Sequence, residues 1–157
     1  MKNDFFSLLS KLTEANVDFV IIGGFAGAIY GCTPITQGIE ICCDFSVGNL
    51  LKLQNAVKDF NPVHRMTPNK IKLELTEQNC KSLKNLYLDT DIGQLDCLSY
   101  VQGIGDYETV QKNSTTIKQF KVLNIDALIE SKKALNRPHD KEAVIQLQSI
   151  KNLSPKK

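Results

Sequence analysis

The feature that most constrains the fold is the apolar run Phe19-Val20-Ile21-Ile22, which stops at the pair Gly23-Gly24. Unbroken apolar residues, several of them β-branched, suit a strand buried on both faces, so residues 17–22 are expected at the centre of a sheet. After the glycine turn, Ala26, Gly27 and Ala28 predict a short helix over 25–30 lying close against that sheet, with Gly31 as its stop. Residues 35–43 read as a second strand. Alternation puts Gly38, Glu40 and Cys42 on one face and Ile39, Ile41 and Cys43 on the other. This order brings backbone N–H groups at a helix N-terminus, where anions bind, close to a strand carboxylate, where a hard metal ion is held.

The remaining elements follow from periodicity. Phe5, Phe6, Leu8, Leu9 and Leu12 form one stripe of an opening helix over 3–15, capped by Asn3 or Asp4 and ended near Asn16. Leu50, Leu51, Leu53, Val57 and Phe60 mark another, capped by Ser46. Residues 61–80 are read as loop with one weak extended piece, where His64-Arg65 either borders a cleft at the acids or is ordinary exposed loop. A hairpin over 83–100, turning at 89–93, places Gln94, Asp96 and Leu98 on one face, so a second isolated strand acid appears. A short helix over 106–112, an extended stretch over 115–123 broken near Gln119, and two helices over 127–135 and 139–150 complete the chain. Asn124 or Asp126 caps the first of these two helices, and Asn136-Arg137-Pro138 separates them. The last four residues are expected to fray.

At 157 residues and 42% apolar content the chain suits one domain, with a core about 16–123 and C-terminal helices about 125–150. A formal charge of +2 gives no bulk attraction to nucleic acid or membrane. No apolar run approaches the length of a membrane span, and no signal-peptide pattern opens the chain, so a cytoplasmic protein is expected. Cys32, Cys42, Cys43, Cys80 and Cys97 include no Cys-x-x-Cys pair. Adjacent Cys42 and Cys43 point to opposite faces, which argues for buried thiols rather than zinc.

Several of these motifs, taken together, resemble the polymerase-beta-like nucleotidyltransferase superfamily, in particular its bacterial minimal nucleotidyltransferase-like members. Gly23-Gly24, the short helix to Tyr30-Gly31, and Thr36-Gln37-Gly38-Ile39-Glu40 match its two small residues, helix and Asp-x-Asp strand. The hairpin carrying Asp96 matches the third acid, and Leu128-Ile129, Lys132 and Arg137-Pro138-His139-Asp140 match the terminal helical motif. The resemblance implies an α/β fold, a small mixed sheet flanked by helices with a short helical C-terminal extension. It also implies two Mg²⁺ ions on the acids, nucleoside triphosphate phosphates at Gly23 and Gly24 with Lys132 reaching them, and transfer of a nucleoside monophosphate to a hydroxyl of a protein or RNA.

The match fails at the first acid, which is Gly38, and the second acid is Glu40. Glu40 and Asp96 remain as catalytic and metal-binding candidates, enough for one weakly held Mg²⁺. Asp44 offers a substitute ligand, or else serves the following helix. Arg137 and Asp140 are expected to pair with each other. The expectation is a transferase weakened or silenced by Gly38; the alternative is a degenerate nucleotide-binding protein acting as a regulatory or toxin–antitoxin partner.

Overall fold

The computed structural model describes residues 3–33 and 38–153, so residues 35–37 of the second expected strand and the expected frayed tail lie outside the described residues. The chain runs through α1 (Phe5–Glu14), β1 (Phe19–Ile22), α2 (Gly23–Tyr30), β2 (Gly38–Cys43) and α3 (Val47–Val57). After a single 3-10 turn come β3 (Val63–His64), α4 (Glu77–Cys80), β4 (Asn85–Thr90) and β5 (Gly93–Leu98). Then follow β6 (Tyr100–Val101), β7 (Gly105–Asp106), α5 (Tyr107–Lys112), β8 (Ser114–Ile117), β9 (Phe120–Leu123), α6 (Ile125–Leu135) and α7 (Pro138–Leu153). Seven strands form one mixed sheet in the order β3-β4-β5-β2-β1-β9-β8, and β6 and β7 pair separately.

The apolar tetrad is β1, buried along its whole length and flanked by β2 antiparallel and β9 parallel. No loop separates β1 from α2, because Gly23 takes a left-handed φ of 70° and becomes the first helical residue itself. Gly31, at φ 113°, stops α2 as its composition predicts. Ser46, Asp106 and Asn124 cap α3, α5 and α6 by accepting the backbone N–H three residues on. Asp4 likewise caps α1.

Asn49 ties three of these elements together. Its Oδ1 accepts from Asp18 N at 2.7 Å, and its Nδ2 donates to the carbonyls of Asp18 at 3.1 Å and Asp44 at 2.7 Å. One buried amide thus fixes the start of β1 and the end of β2 to α3. Leaving those backbone groups unpaired would cost about 1–3 kcal/mol.

Four details differ from the sequence reading. Phe6 is 57% exposed rather than inward, since it lies off the stripe of Phe5, Leu8, Leu9 and Leu12 and packs edge-on against Phe120. The segment read as loop contains α4, held by a capping box between Thr76 and Asn79, a pair too short to show helical periodicity. The hairpin turn narrows to Asp91-Ile92, with Thr90 Oγ1 closing it on Gly93 O at 2.6 Å. Tyr100 leaves β5 to pair with Asp106 in a second small hairpin.

Candidate active site

The parallel pairing of β2 with β5 sets Glu40 directly beside Asp96, and Gly38 beside Gln94. Alternation sends both acids to one face, because Ile39, Ile41, Leu95 and Cys97 on the other face are all buried in the core. Over the acids the chain leaves a cleft in two lobes, of about 590 Å³ and 350 Å³. Glu40, Asp96, Lys132 and Arg137 border both lobes, so residues about 90 positions apart in sequence meet at one place. Gly24 lines the larger lobe and Gly23 the smaller.

Lys132 and Arg137 are held by Asp140. Pro138 opens α7, and Asp140, three residues after Arg137, reaches back to accept from Arg137 N at 3.1 Å. It also receives Arg137 Nε at 2.5 Å and Nη2 at 3.2 Å, with Lys132 Nζ at 3.8 Å. Burial alone would raise the Asp140 pKa; the hydrogen bonds and charge of Arg137, supported by Lys132, hold it below the ordinary carboxylate range. The expected Arg137–Asp140 pair is therefore present, and it also anchors the buried Lys132.

Glu40 has the opposite electrostatic balance. Burial and the Asp96 charge raise its pKa, against a smaller lowering by Lys132 and Arg137. Its carboxylate lies against Gly23, where an added Cβ would come within 2.6 Å of Glu40 Oε1. Gly23 thus needs to be glycine both for its φ and for this approach.

Asp96 has a partner that sequence reasoning set aside. Arg65 Nη1 lies 2.7 Å from Asp96 Oδ1, with both side chains about one-fifth exposed. The Oδ1 atom is buried and, among the described residues, takes no well-aligned hydrogen bond, so Arg65 meets it as a close ion pair. Arg65 also donates to Leu88 O at 3.2 Å and lies over the Tyr87 ring at 5.8 Å, and Tyr87 is the β4 neighbour of Asp96. Arg65 follows a two-residue strand in an irregular segment, so no periodic pattern marks it as inward. Of the two readings of His64-Arg65, exposed loop does not hold for Arg65, which meets Asp96.

These residues do not fit the two-ion centre that the resemblance implies. At the first acid position, a Cβ on Gly38 would fall 2.5 Å from Gln94 Cβ and 2.7 Å from Gln94 O, so any side chain there must push β2 and β5 apart. Asp44 does not substitute; its Oδ1 accepts from Ser46 N at 3.1 Å, in the helix-start role. Asp96 is engaged by Arg65. Among the described residues no group of three or more His, Cys, Asp or Glu is placed to hold a metal ion. All five cysteines are buried free thiols, as expected.

A crystal structure of ANT(2")-Ia in complex with adenylyl-2"-tobramycin superposes on the chain with a TM-score of 0.56, covering 94% of this chain and 91% of that one at 13% identity. The fold is that of a nucleotidyltransferase. Two structures from Helicobacter pylori also align. One is a candidate nucleotidyltransferase, at 12% identity and TM-score 0.46, covering 81% of this chain and 53% of that one. The other is JHP933, at 14% and 0.42, covering 83% and 57%. The chain spans little more than half the length of these two. No protein-family model matches the chain, and no curated protein matches it. None of the described helices is long and apolar enough to cross a membrane.

Two outcomes follow for this site. Gly38→Ala should destabilise the protein by about 1–3 kcal/mol through overpacking. Gly48→Ala, in a helix with nothing within 4 Å of its Cβ, should stabilise it by about 0.5–1 kcal/mol. Chemical denaturation of both variants checks the contrast, and a neutral Gly38→Ala would refute the close packing. The second concerns Glu40, whose raised pKa means that the folded state binds its proton more tightly than the unfolded chain. Ionised Glu40 therefore opposes folding fully above its folded pKa, and this opposition disappears as pH falls below the unfolded value of 4.5. Glu40→Gln should raise Tm at about pH 8 and leave it nearly unchanged at about pH 4, and an equal shift at both would contradict the assignment.

Proposed function

We propose that the protein is a catalytically degenerate, nucleotide-binding member of the nucleotidyltransferase fold, whose cleft takes a nucleoside triphosphate on Lys132 and Arg137. The observation that carries this reading is the environment of Gly38: the position of the first acid has no side chain and no room for one. A group that stabilises transition-state charge commonly contributes on the order of 10²–10³ in rate, so a centre built without it transfers poorly. ANT(2")-Ia holds adenylyl-2"-tobramycin in its structure, and the shared fold supports a nucleotide as the ligand class here.

Phosphate charge is met in this reading by fixed side chains. Lys132 and Arg137 are held by Asp140 at the junction of the two lobes, where a phosphate chain and its substituents can diverge. The larger lobe is of a size that suits a nucleotide. The Mg²⁺ ions expected from the resemblance are not required for this binding. A hydroxyl acceptor or a protein partner, as in a toxin–antitoxin pair, would meet the cleft from outside.

Calorimetric titration with ATP and GTP, in EDTA and in Mg²⁺, should detect binding under both conditions, and Lys132→Met should weaken it by about 10–100-fold. With α-labelled nucleotide the wild-type chain should transfer no label to itself or to added RNA. Rapid Mg²⁺-dependent labelling would overturn the degenerate reading, and absence of binding by either nucleotide would overturn the ligand class.

A further inference from the structure

We infer that Arg65 is a built-in cation that takes the place of a divalent metal on Asp96 and keeps the Glu40–Asp96 pair metal-free. This deepens the reading of the cleft as degenerate and rests on it, since a working two-ion centre would need Asp96 released.

Three observations place Arg65 in that role. First, its Nη1 lies 2.7 Å from Asp96 Oδ1, the atom that is otherwise buried without a well-aligned donor. A Mg²⁺ ion binds carboxylate oxygen at about 2.0–2.1 Å in strict octahedral geometry, so an ion on Oδ1 would stand at close range to the guanidinium charge that already meets that atom. Second, Arg65 is not a swinging surface cation. It is about four-fifths buried, donates to Leu88 O and lies over Tyr87, contacts that fix its planar head from two further directions. A guanidinium stays charged at any pH a protein experiences, whereas a metal site empties as its acids protonate.

Third, side-chain cations already serve these acids: Arg65 pairs with Asp96, Lys132 and Arg137 pair with Asp140, and Lys132 and Arg137 both act on Glu40. A divalent ion brought to Asp96 would meet the Arg65 charge at close range, with only Glu40 as a second carboxylate. Removing the Arg65 charge leaves two carboxylates side by side on paired strands, already repelling one another, and that arrangement attracts a cation. The glycine at position 38 and the arginine at position 65 are then two parts of one change: the first removes a metal ligand, and the second supplies the missing positive charge.

The test is Mn²⁺ binding by the nucleotide-free full chain, followed by electron paramagnetic resonance of free Mn²⁺, with Asp96→Asn, Arg65→Gln, Arg65→Lys and Arg65→Gln/Asp96→Asn beside wild type. Wild type and Arg65→Lys should bind no ion at Mn²⁺ concentrations up to about 1 mM. Arg65→Gln should gain one site, at least about tenfold tighter than any wild-type binding, and the added Asp96→Asn should abolish it. Stoichiometric wild-type binding that Asp96→Asn removes would overturn the inference without any need for the Arg65 variants to fold. A folded Arg65→Gln that gains no site would overturn it too. No nucleotide enters the assay, so failure here is distinct from a failure of ATP and GTP to bind.

Discussion

The site depends on the parallel pairing of β2 with β5. Five consecutive register pairs lock Gly38 against Gln94 and Glu40 against Asp96, and the fully buried residues between them leave no freedom to slip, since a one-residue shift would turn both acids into the core. The same pairing that brings two carboxylates together leaves no space for a third at position 38. Proximity of the acids and the crowding at position 38 have one geometric origin.

Two like charges on neighbouring strands need compensation, and the rest of the cleft provides it from distant parts of the chain. Arg65 comes from the edge of the sheet beyond β4, and Lys132 and Arg137 come from the α6–α7 pair, oriented by the buried Asp140. Asp140 is stable in its charged form only because Arg137 and Lys132 surround it, and removing one partner from such a buried cluster typically costs about 3–5 kcal/mol. Among the acids at the site, Glu40, with its raised pKa, is the one whose ionisation is least well supported.

What the sequence revealed, it revealed through periodicity and punctuation. The tetrad ending at Gly23, the alternation through Glu40 and Asp96, and the cap Ser46 are short-range patterns that are present as read, and Asp4 and Asn124 are the ones that cap out of the two candidates at each helix start. The Arg137–Asp140 pair was legible because its partners lie three residues apart at a helix start. Arg65 was not, since its role depends on where a non-periodic segment lands relative to β4 and β5. The crowding at Gly38 was also hidden, because a glycine in a strand does not disclose how close the next strand lies. Asn49, buried with three hydrogen bonds, carries no short-range signal that sets it apart from the other polar positions of α3.

In the proposed site Arg65 stands on Asp96 where the resemblance in sequence would place a metal ion. A crystal of the wild-type chain grown with ATP and Mn²⁺, measured for anomalous scattering at the manganese edge, tests it most directly. The account predicts no manganese peak between Glu40 and Asp96, with Arg65 Nη1 still on Asp96. A peak within about 2.2 Å of both carboxylates, with Arg65 displaced, would contradict it.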